Sequence, residues 1–331
     1  MRRARFTCLR PVLLSLGVLT AAVAVTAVSA PAYARPAPAS AAQPAASSQA
    51  TPSPGAPVSG HHVAGAVYGA AAATGNGIAA ADFLKLHRQM VANSHGTATR
   101  PNAQLHAWWG SFPGTNSGNG VMATQTLAPS LRLSHAADIL YAPTMTGANN
   151  DCIEVVTVHT TRQPQIWAWD WCNLIAPGAK VNVNQAFLKA YATNVNGRKA
   201  YTTEEVQTSK TTNSWTAYLY NYQTKAWDSL FTSAGTDQSG LSYGWDMFEF
   251  YSATNPGTGN TYVCGDLQNV GTTAESSSLQ IRSGSTWQLA NSGDSMWSPE
   301  AHPNPADYNC PDMKFHIVKN NYDWTVRVTA G

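Results

Sequence analysis

The sequence predicts an all-β protein built as an antiparallel β-sandwich, and three observations carry that prediction. From about Asn102 onward, short runs rich in Val, Thr, Tyr and Trp alternate with Gly, Asn, Pro and Ser. That is the texture of close-spaced strands joined by turns. The segment "YATNVNGRKAYTTEEVQ" holds Asn196-Gly197, the dipeptide that best accepts the two positive φ values of a type I′ turn. It therefore sets Val195 opposite Arg198 and Tyr191 opposite Thr202. Finally, Cys152 and Cys172 bracket "CIEVVTVHTTRQPQIWAWDWC", whose two apolar halves pair naturally as a hairpin. No fixed-period repeat points to a propeller.

Before the strands, the chain reads as three segments. Residues 1–34 have a basic head, an apolar stretch from Val12 to about Val28 and a small-residue end at Ala32-Tyr33-Ala34. This is the pattern of a secretory signal peptide, with cleavage expected after Ala34, or after Ala30 as the second choice. Residues 35–59 are rich in Ala, Pro and Ser and lack apolar bulk, so they read as a disordered linker. Residues 60–101 form a lead-in or removable pro-segment whose Ile78, Phe83, Leu84, Leu86 and Met90 fall on a helical period stopped by Gly96. Residues 102–331 then form one sandwich domain.

Charge and cysteines bound the function. The chain has 20 Lys and Arg against 18 Asp and Glu, and loss of Arg2, Arg3, Arg5 and Arg10 with the signal leaves the acids in slight excess. A nucleic-acid partner, which wants a basic footprint, is disfavoured, and no later segment reads as a membrane span. A secreted, monomeric protein is the expectation. The four remaining cysteines, Cys152, Cys172, Cys264 and Cys310, are expected to pair as Cys152–Cys172 and Cys264–Cys310. They lack the C-x2-C spacing of a zinc site, and neither a metal nor a cofactor is expected.

With the turn at Thr161-Arg162-Gln163, Cys152 would sit directly opposite Cys172 and Glu154 opposite Asp170. The face carrying Trp167, Trp169 and Trp171 would then lie away from the two acids and form sheet-to-sheet core. Two carboxylates side by side repel unless one holds a proton or a donor intervenes. A second glutamate, Glu249, stands in "GWDMFEFY" on the side of Trp245, Met247 and Tyr251. Charged groups avoid such surroundings unless matched. In "SWTAYLYNYQTKAWDSLFTS" one strand face holds Trp215, Ala217 and Leu219 and is expected to be core. The other holds Tyr218, Tyr220 and Tyr222 and reads as exterior or groove.

Glu154 before "IWAWDW", the run of hairpins ending in "AYLYNYQTKAWDSLF", and Glu249 in its aromatic strand resemble the order of elements in the glutamic peptidases of eqolisin and neprosin type, over roughly Asn150 to Tyr251. That resemblance implies a secreted β-sandwich hydrolase acting on an extracellular polypeptide. Glu249 would be the general base and Glu154 the protonated partner that polarises the carbonyl, the two projecting from neighbouring strands and sharing a water. Glu154 fits the neprosin pattern, whereas eqolisins have glutamine there. Trp169, Asp170, Trp245 and Tyr251 are the candidates for lining the substrate, with Asp170 raising the pKa of Glu154.

The competing reading is a lectin-like sandwich without catalysis that binds a polysaccharide on exposed aromatic faces; glycoside hydrolysis by a carboxylate pair is a third. Other chemistry lacks support. The nine histidines are scattered, without H-E-x-x-H. The string "GLSYG" around Ser242 is followed by a strand rather than the helix a nucleophile elbow needs.

Overall fold

A computed structural model describes residues 52, 55–74, 104–114, 118–173, 176–235, 238–297 and 305–329. The chain divides into two compact units, Met1–Ala45 and Ala46–Gly331, and every described residue belongs to the second. The signal peptide, most of the linker and the expected helix around Phe83 lie outside the described residues.

In chain order the elements begin with β1 (Val58–His62), β2 (Val67–Tyr68) and a short helix α1 (Gly69–Ala73). Then follow β3 (Gln104–Pro113), β4 (Gly120–Thr126), β5 (Ile139–Thr146), β6 (Ile153–His159), β7 (Gln165–Asp170) and β8 (Ala179–Asn182). Helix α2 (Gln185–Tyr191) precedes β9 (Ala192–Val195), β10 (Arg198–Ser209), β11 (Ser214–Asn221), β12 (Ala226–Thr232) and β13 (Trp245–Ala253). Helix α3 (Tyr262–Val270) leads into β14 (Thr273–Ser283), β15 (Thr286–Leu289), β16 (Ser295–Trp297), β17 (Met313–Lys319) and β18 (Asp323–Val328).

The strands form two sheets. A ten-stranded sheet runs β1-β12-β11-β10-β4-β14-β18-β17, with β9 added to β10 and β15 to β14; an eight-stranded sheet runs β16-β3-β13-β5-β6-β7-β8-β2. Of the pairings, β1 with β12 is parallel and the others are antiparallel. The sheets already include Val58–Tyr68, through β1 on β12 and β2 on β8. The sandwich thus takes in residues well before the Asn102 boundary drawn from sequence texture.

Strand alternation supplies the core between the sheets. Ile153, Val155, Ile166 and Ala168 of the eight-stranded sheet pack with Trp215, Ala217, Leu219 and Tyr201 of the ten-stranded one. Further along, Trp109, Phe248 and Phe250 meet Trp324, Val326 and Met313. The expected apolar face of β11 is therefore core. The turn at Asn196-Gly197 also stands, with φ of 48° and 78° and Val195 paired to Arg198. Tyr191, however, ends a helix rather than pairing with Thr202. Asn184 caps that helix by accepting from the Phe187 amide at 3.0 Å, a cap signal that a single apolar turn does not advertise.

Both disulfides form as expected, Cys152–Cys172 and Cys264–Cys310, each with Cα atoms 5.5 Å apart. The register inferred from the first is nevertheless off by one. Ile153 pairs with Asp170, Glu154 with Trp169 and Val156 with Trp167. The reason is local: β7 ends at Asp170, the Trp171 amide donates to the Cys152 carbonyl at 3.0 Å, and Cys172 lies beyond, in the turn. A cysteine past the strand end can reach its partner without sitting directly opposite it. Because strand side chains alternate, a one-residue slip moves every side chain to the other face. The tryptophans consequently share the face of Glu154, and the inter-sheet core is built from Ile153, Val155, Ile166 and Ala168 instead.

Candidate functional site

The face of the eight-stranded sheet turned away from its partner sheet gathers Ile139 and Tyr141 from β5, Val156 and Val158 from β6, Trp167, Trp169 and Trp171, and Trp245, Met247 and Tyr251 from β13. A register shift in β5 between Tyr141 and Thr144 puts both of those side chains on this same face. Glu154 and Glu249 stand among these residues, each wholly buried.

Glu249 pairs across the sheet with Trp108 of β3 and Tyr141 of β5. Its Oε1 lies 2.8 Å from His106 Nε2 and also accepts the Tyr251 hydroxyl. His106 and Tyr251 face each other across the two strands and stack, with centroids 4.4 Å apart and planes 2° from parallel. Tyr141 meets Tyr251 edge-on at 6.2 Å. When Glu249 is ionised it can only accept, and His106 then carries its proton on Nε2 toward it. The result is a buried carboxylate oriented by an imidazole that retains 12 % side-chain exposure.

Glu154 has a different shell. Its Oε1 accepts from Trp245 Nε1 at 2.9 Å and from the Thr144 hydroxyl. Trp169 lies directly across from it on β7 and stacks edgewise on Trp167 at 6.1 Å. Trp245 in turn packs against Trp171 at 6.4 Å.

The two glutamates share a face but not a position. Strand β5 runs between β13 and β6. Glu249 lies in the row of Tyr141 and Val158, whereas Glu154 lies four residues further along β6. Those offsets amount to about 13 Å along the strands and about 10 Å across them. Among the described residues their partners differ. The expected projection from neighbouring strands onto one water is therefore replaced by two separate carboxylate centres.

Of the candidate lining residues, Trp245 and Tyr251 bond the glutamates directly, and Trp169 is Glu154's neighbour. Asp170 is not part of this face. It points toward the other sheet, where its oxygens accept from the Asn173 amide at 3.3 Å and the Ala234 amide at 3.2 Å. It thus closes the turn after β7 rather than acting on Glu154. His106, Thr144 and Tyr141 were not singled out in the sequence. The alternation of "QLHAWW", which sets His106 and Trp108 on one strand face, is a signal for His106 alone.

A second acidic group lies between the sheets. The Gly147 amide donates to Asp151 Oδ2 at 3.1 Å and to Glu205 Oε2 at 2.9 Å, so two carboxyls converge on one N–H. The Ile153 and Val155 amides hold their other oxygens at 2.8 and 3.1 Å. A Cβ on residue 147 would lie 2.7 Å from Asp151 Oδ2 and 3.0 Å from the Trp215 ring, which explains a glycine there. Burial pushes Asp151 up to about 7, and burial together with the Asp151 charge holds Glu205 well above its ordinary range. One proton shared between them removes the repulsion. Nearby on the same inner side, burial pushes Asp246 up to about 6 although Gln125 and Trp324 donate to it.

Two other arrangements are structural. Asp138 accepts from both Ser252 and His135, so this Ser, Asp and His have the acid in the middle and no base on the serine. Among the described residues the one metal-like cluster is Cys152, Asp170 and Cys172, whose sulfurs are already joined to each other. Buried His159 is held neutral, with its pKa lowered to about 4 by desolvation.

No protein-family model matches the sequence, and no curated protein matches it. Among solved structures, the chain is similar to Scytalido-glutamic peptidase bound to a peptide-based transition state analogue, at 11% identity and a TM-score of 0.38, covering 69% of this chain and 98% of that one. It is likewise similar to SCP-B, a member of the eqolisin family of peptidases, in complex with the tripeptide Ala-Ile-His, at 12% identity and a TM-score of 0.38, covering 69% and 98%. At those values the likeness is one of β-rich outline only. No helix among the described residues is long and apolar enough to cross a membrane.

Proposed function

We propose that the chain is a secreted hydrolase of glutamic type, acting on extracellular polypeptide at acid pH, with its base centre at Glu249. The observation that carries this reading is the Glu249 shell: a wholly buried carboxylate on an aromatic face, given two donors on one oxygen by His106 and Tyr251. Such an acid is costly to bury, and the donors orient it as a base rather than neutralise it with a fixed cation.

In this reading an ionised Glu249 takes a proton from a water placed beside it, and the water attacks the peptide carbonyl. Tyr251 and His106 keep the accepting oxygen fixed. Glu154, too distant to act on the same bond, serves as a second polar contact for an extended substrate, with Trp169 and Trp245 about it. The signal-like residues 1–34 and the two disulfides support export.

A lectin reading of this same face has less support, because Trp169 and Trp245 are fully buried and offer no open platform for a sugar ring. The test is digestion of an unfolded protein substrate by purified full-length protein across about pH 2 to 7. Cleavage that disappears in Glu249→Gln with the fold retained is the expected result. A wild-type protein inactive throughout that range overturns the proposal.

A further inference from the structure

The buried acid pair between the sheets grips the strand that carries Glu154. Asp151 Oδ1 accepts from the Ile153 amide at 2.8 Å, and Glu205 Oε1 accepts from the Val155 amide at 3.1 Å. These two amides flank Glu154 in the chain. Strand alternation sends the Glu154 side chain to the opposite face, where Trp245 and Thr144 donate to it. Asp151 belongs to the turn between β5 and β6, which passes through positive φ at Asn149 and Asn150 (62° and 64°). Glu205 reaches across from β10 of the other sheet. Thr146, at the end of β5, completes the grip by donating to the Ile153 carbonyl.

The remaining oxygens of the pair meet. Asp151 Oδ2 and Glu205 Oε2 both accept the one Gly147 N–H, at 3.1 and 2.9 Å. The two carboxyls also hydrogen-bond to each other, which requires a proton on one of them, because ionised carboxylates only accept. Asp151 is 1% exposed and Glu205 0%, so water does not screen them. Among the described residues no Lys, Arg or His forms an ion pair with either. The titratable groups that face them are Glu154, whose charge raises Glu205 further, and Tyr201 on β10, which feels both Glu205 and Asp246 of β13. All of these are acids, so none offsets a second charge on the pair.

We propose that Asp151 and Glu205 form a proton-operated clamp that positions Glu154: with one shared proton they hold both β6 amides, and with none they part and let the strand shift. Loss of the proton leaves two buried charges side by side, borne by chain segments of different sheets. Their separation draws the 147–152 turn away from β10. That frees the Ile153 or Val155 amide and carries Glu154 away from Trp245 Nε1. Burial pushes Asp151 up to about 7 from an ordinary 3.8, so the hold is complete at acid pH and is lost as pH rises through neutrality. Coupling runs both ways, since a charge on Glu154 tightens the pair's grip on its proton. The clamp is read without any substrate, so it stands or falls separately from the Glu249 reading.

Hydrogen–deuterium exchange of the purified full-length protein from about pH 5 to 8, corrected for the intrinsic rate, reads the clamp at residues 147–159. Protection of the Ile153 and Val155 amides should fall about tenfold or more over that range, while β18 keeps its protection. Glu205→Gln gives Asp151 a donor without a second charge and should flatten the fall. Asp151→Asn should do the same from the other side, so a folding defect in one variant leaves the other to decide. A wild-type fall that flattens in either variant supports the proposal. Flat protection in the wild type overturns it, as does an equal fall in the wild type and both variants, or a fall in β18 that matches the one in β6.

Discussion

Glu249 lies on the tryptophan-rich face of the eight-stranded sheet, and the Asp151 and Glu205 pair lies between the two sheets; all three carboxyls are buried to 1% exposure or less. Glu249 is contacted on one oxygen by an imidazole and a phenol. Asp151 and Glu205 face each other and are reached by the amides of Gly147, Ile153 and Val155, yet burial and mutual repulsion still favour holding a proton. Carboxyls in equally dry surroundings thus meet side-chain donors in one place and a second carboxyl in the other. Partner chemistry makes the difference, not depth, and it separates a group available to react from one that only helps fasten the sheets.

The sharpest way to break this comparison is to exchange charge for neutrality at each place. Glu249→Gln should lower any peptidase rate by about 10²-fold or more while leaving the melting temperature nearly unchanged. Equal loss of rate and fold would make Glu249 a structural acid like the others. Next in size, Cys152→Ser together with Cys172→Ser should cost about 2–4 kcal/mol in denaturant unfolding. It should also lower activity, because the bridge anchors the end of β6 that carries Glu154.

Gly147→Ala should cost about 1–3 kcal/mol, since the new methyl meets both Asp151 and Trp215. Its activity per folded molecule should persist, and an assay corrected for folded fraction would show this. A further effect concerns pH. Asp151 titrates in the folded protein near 7 and Asp246 near 6, both above their ordinary value of 3.8. Their contribution to stability is therefore complete below about pH 4 and is lost as pH rises through 6 to 7. Melting temperature should fall between pH 4 and pH 8, the reverse of the usual carboxylate effect. Glu205→Gln, which mimics the protonated acid, should match the wild type within about 1 kcal/mol at pH 4 and flatten that decline. A wild-type curve that rises toward neutral pH would sink the shared-proton account.

What the sequence disclosed follows from how local each signal is. The Asn196-Gly197 turn and both disulfide pairings were legible because they rest on a dipeptide conformation and on four cysteines. The β6/β7 register failed by one residue because Cys172 sits beyond the strand end, a distinction that no residue pattern marks. From that slip came the reversed tryptophan face and the misplaced Asp170. His106 was passed over because a lone histidine in an apolar strand carries no motif. Its importance comes only from β3 pairing with β13, which sets it beside Tyr251 and Glu249. The Asp151 and Glu205 pair, joined across two sheets, had no signal at all.

The most direct measurement is the pH profile of cleavage of an unfolded protein by the purified full-length chain, run beside Glu249→Gln and His106→Phe. The account predicts activity confined to acid pH, lost in Glu249→Gln and reduced with a displaced pH profile in His106→Phe, while all three proteins melt cooperatively. Full activity in Glu249→Gln, or none in the wild type from about pH 2 to 7, would contradict it.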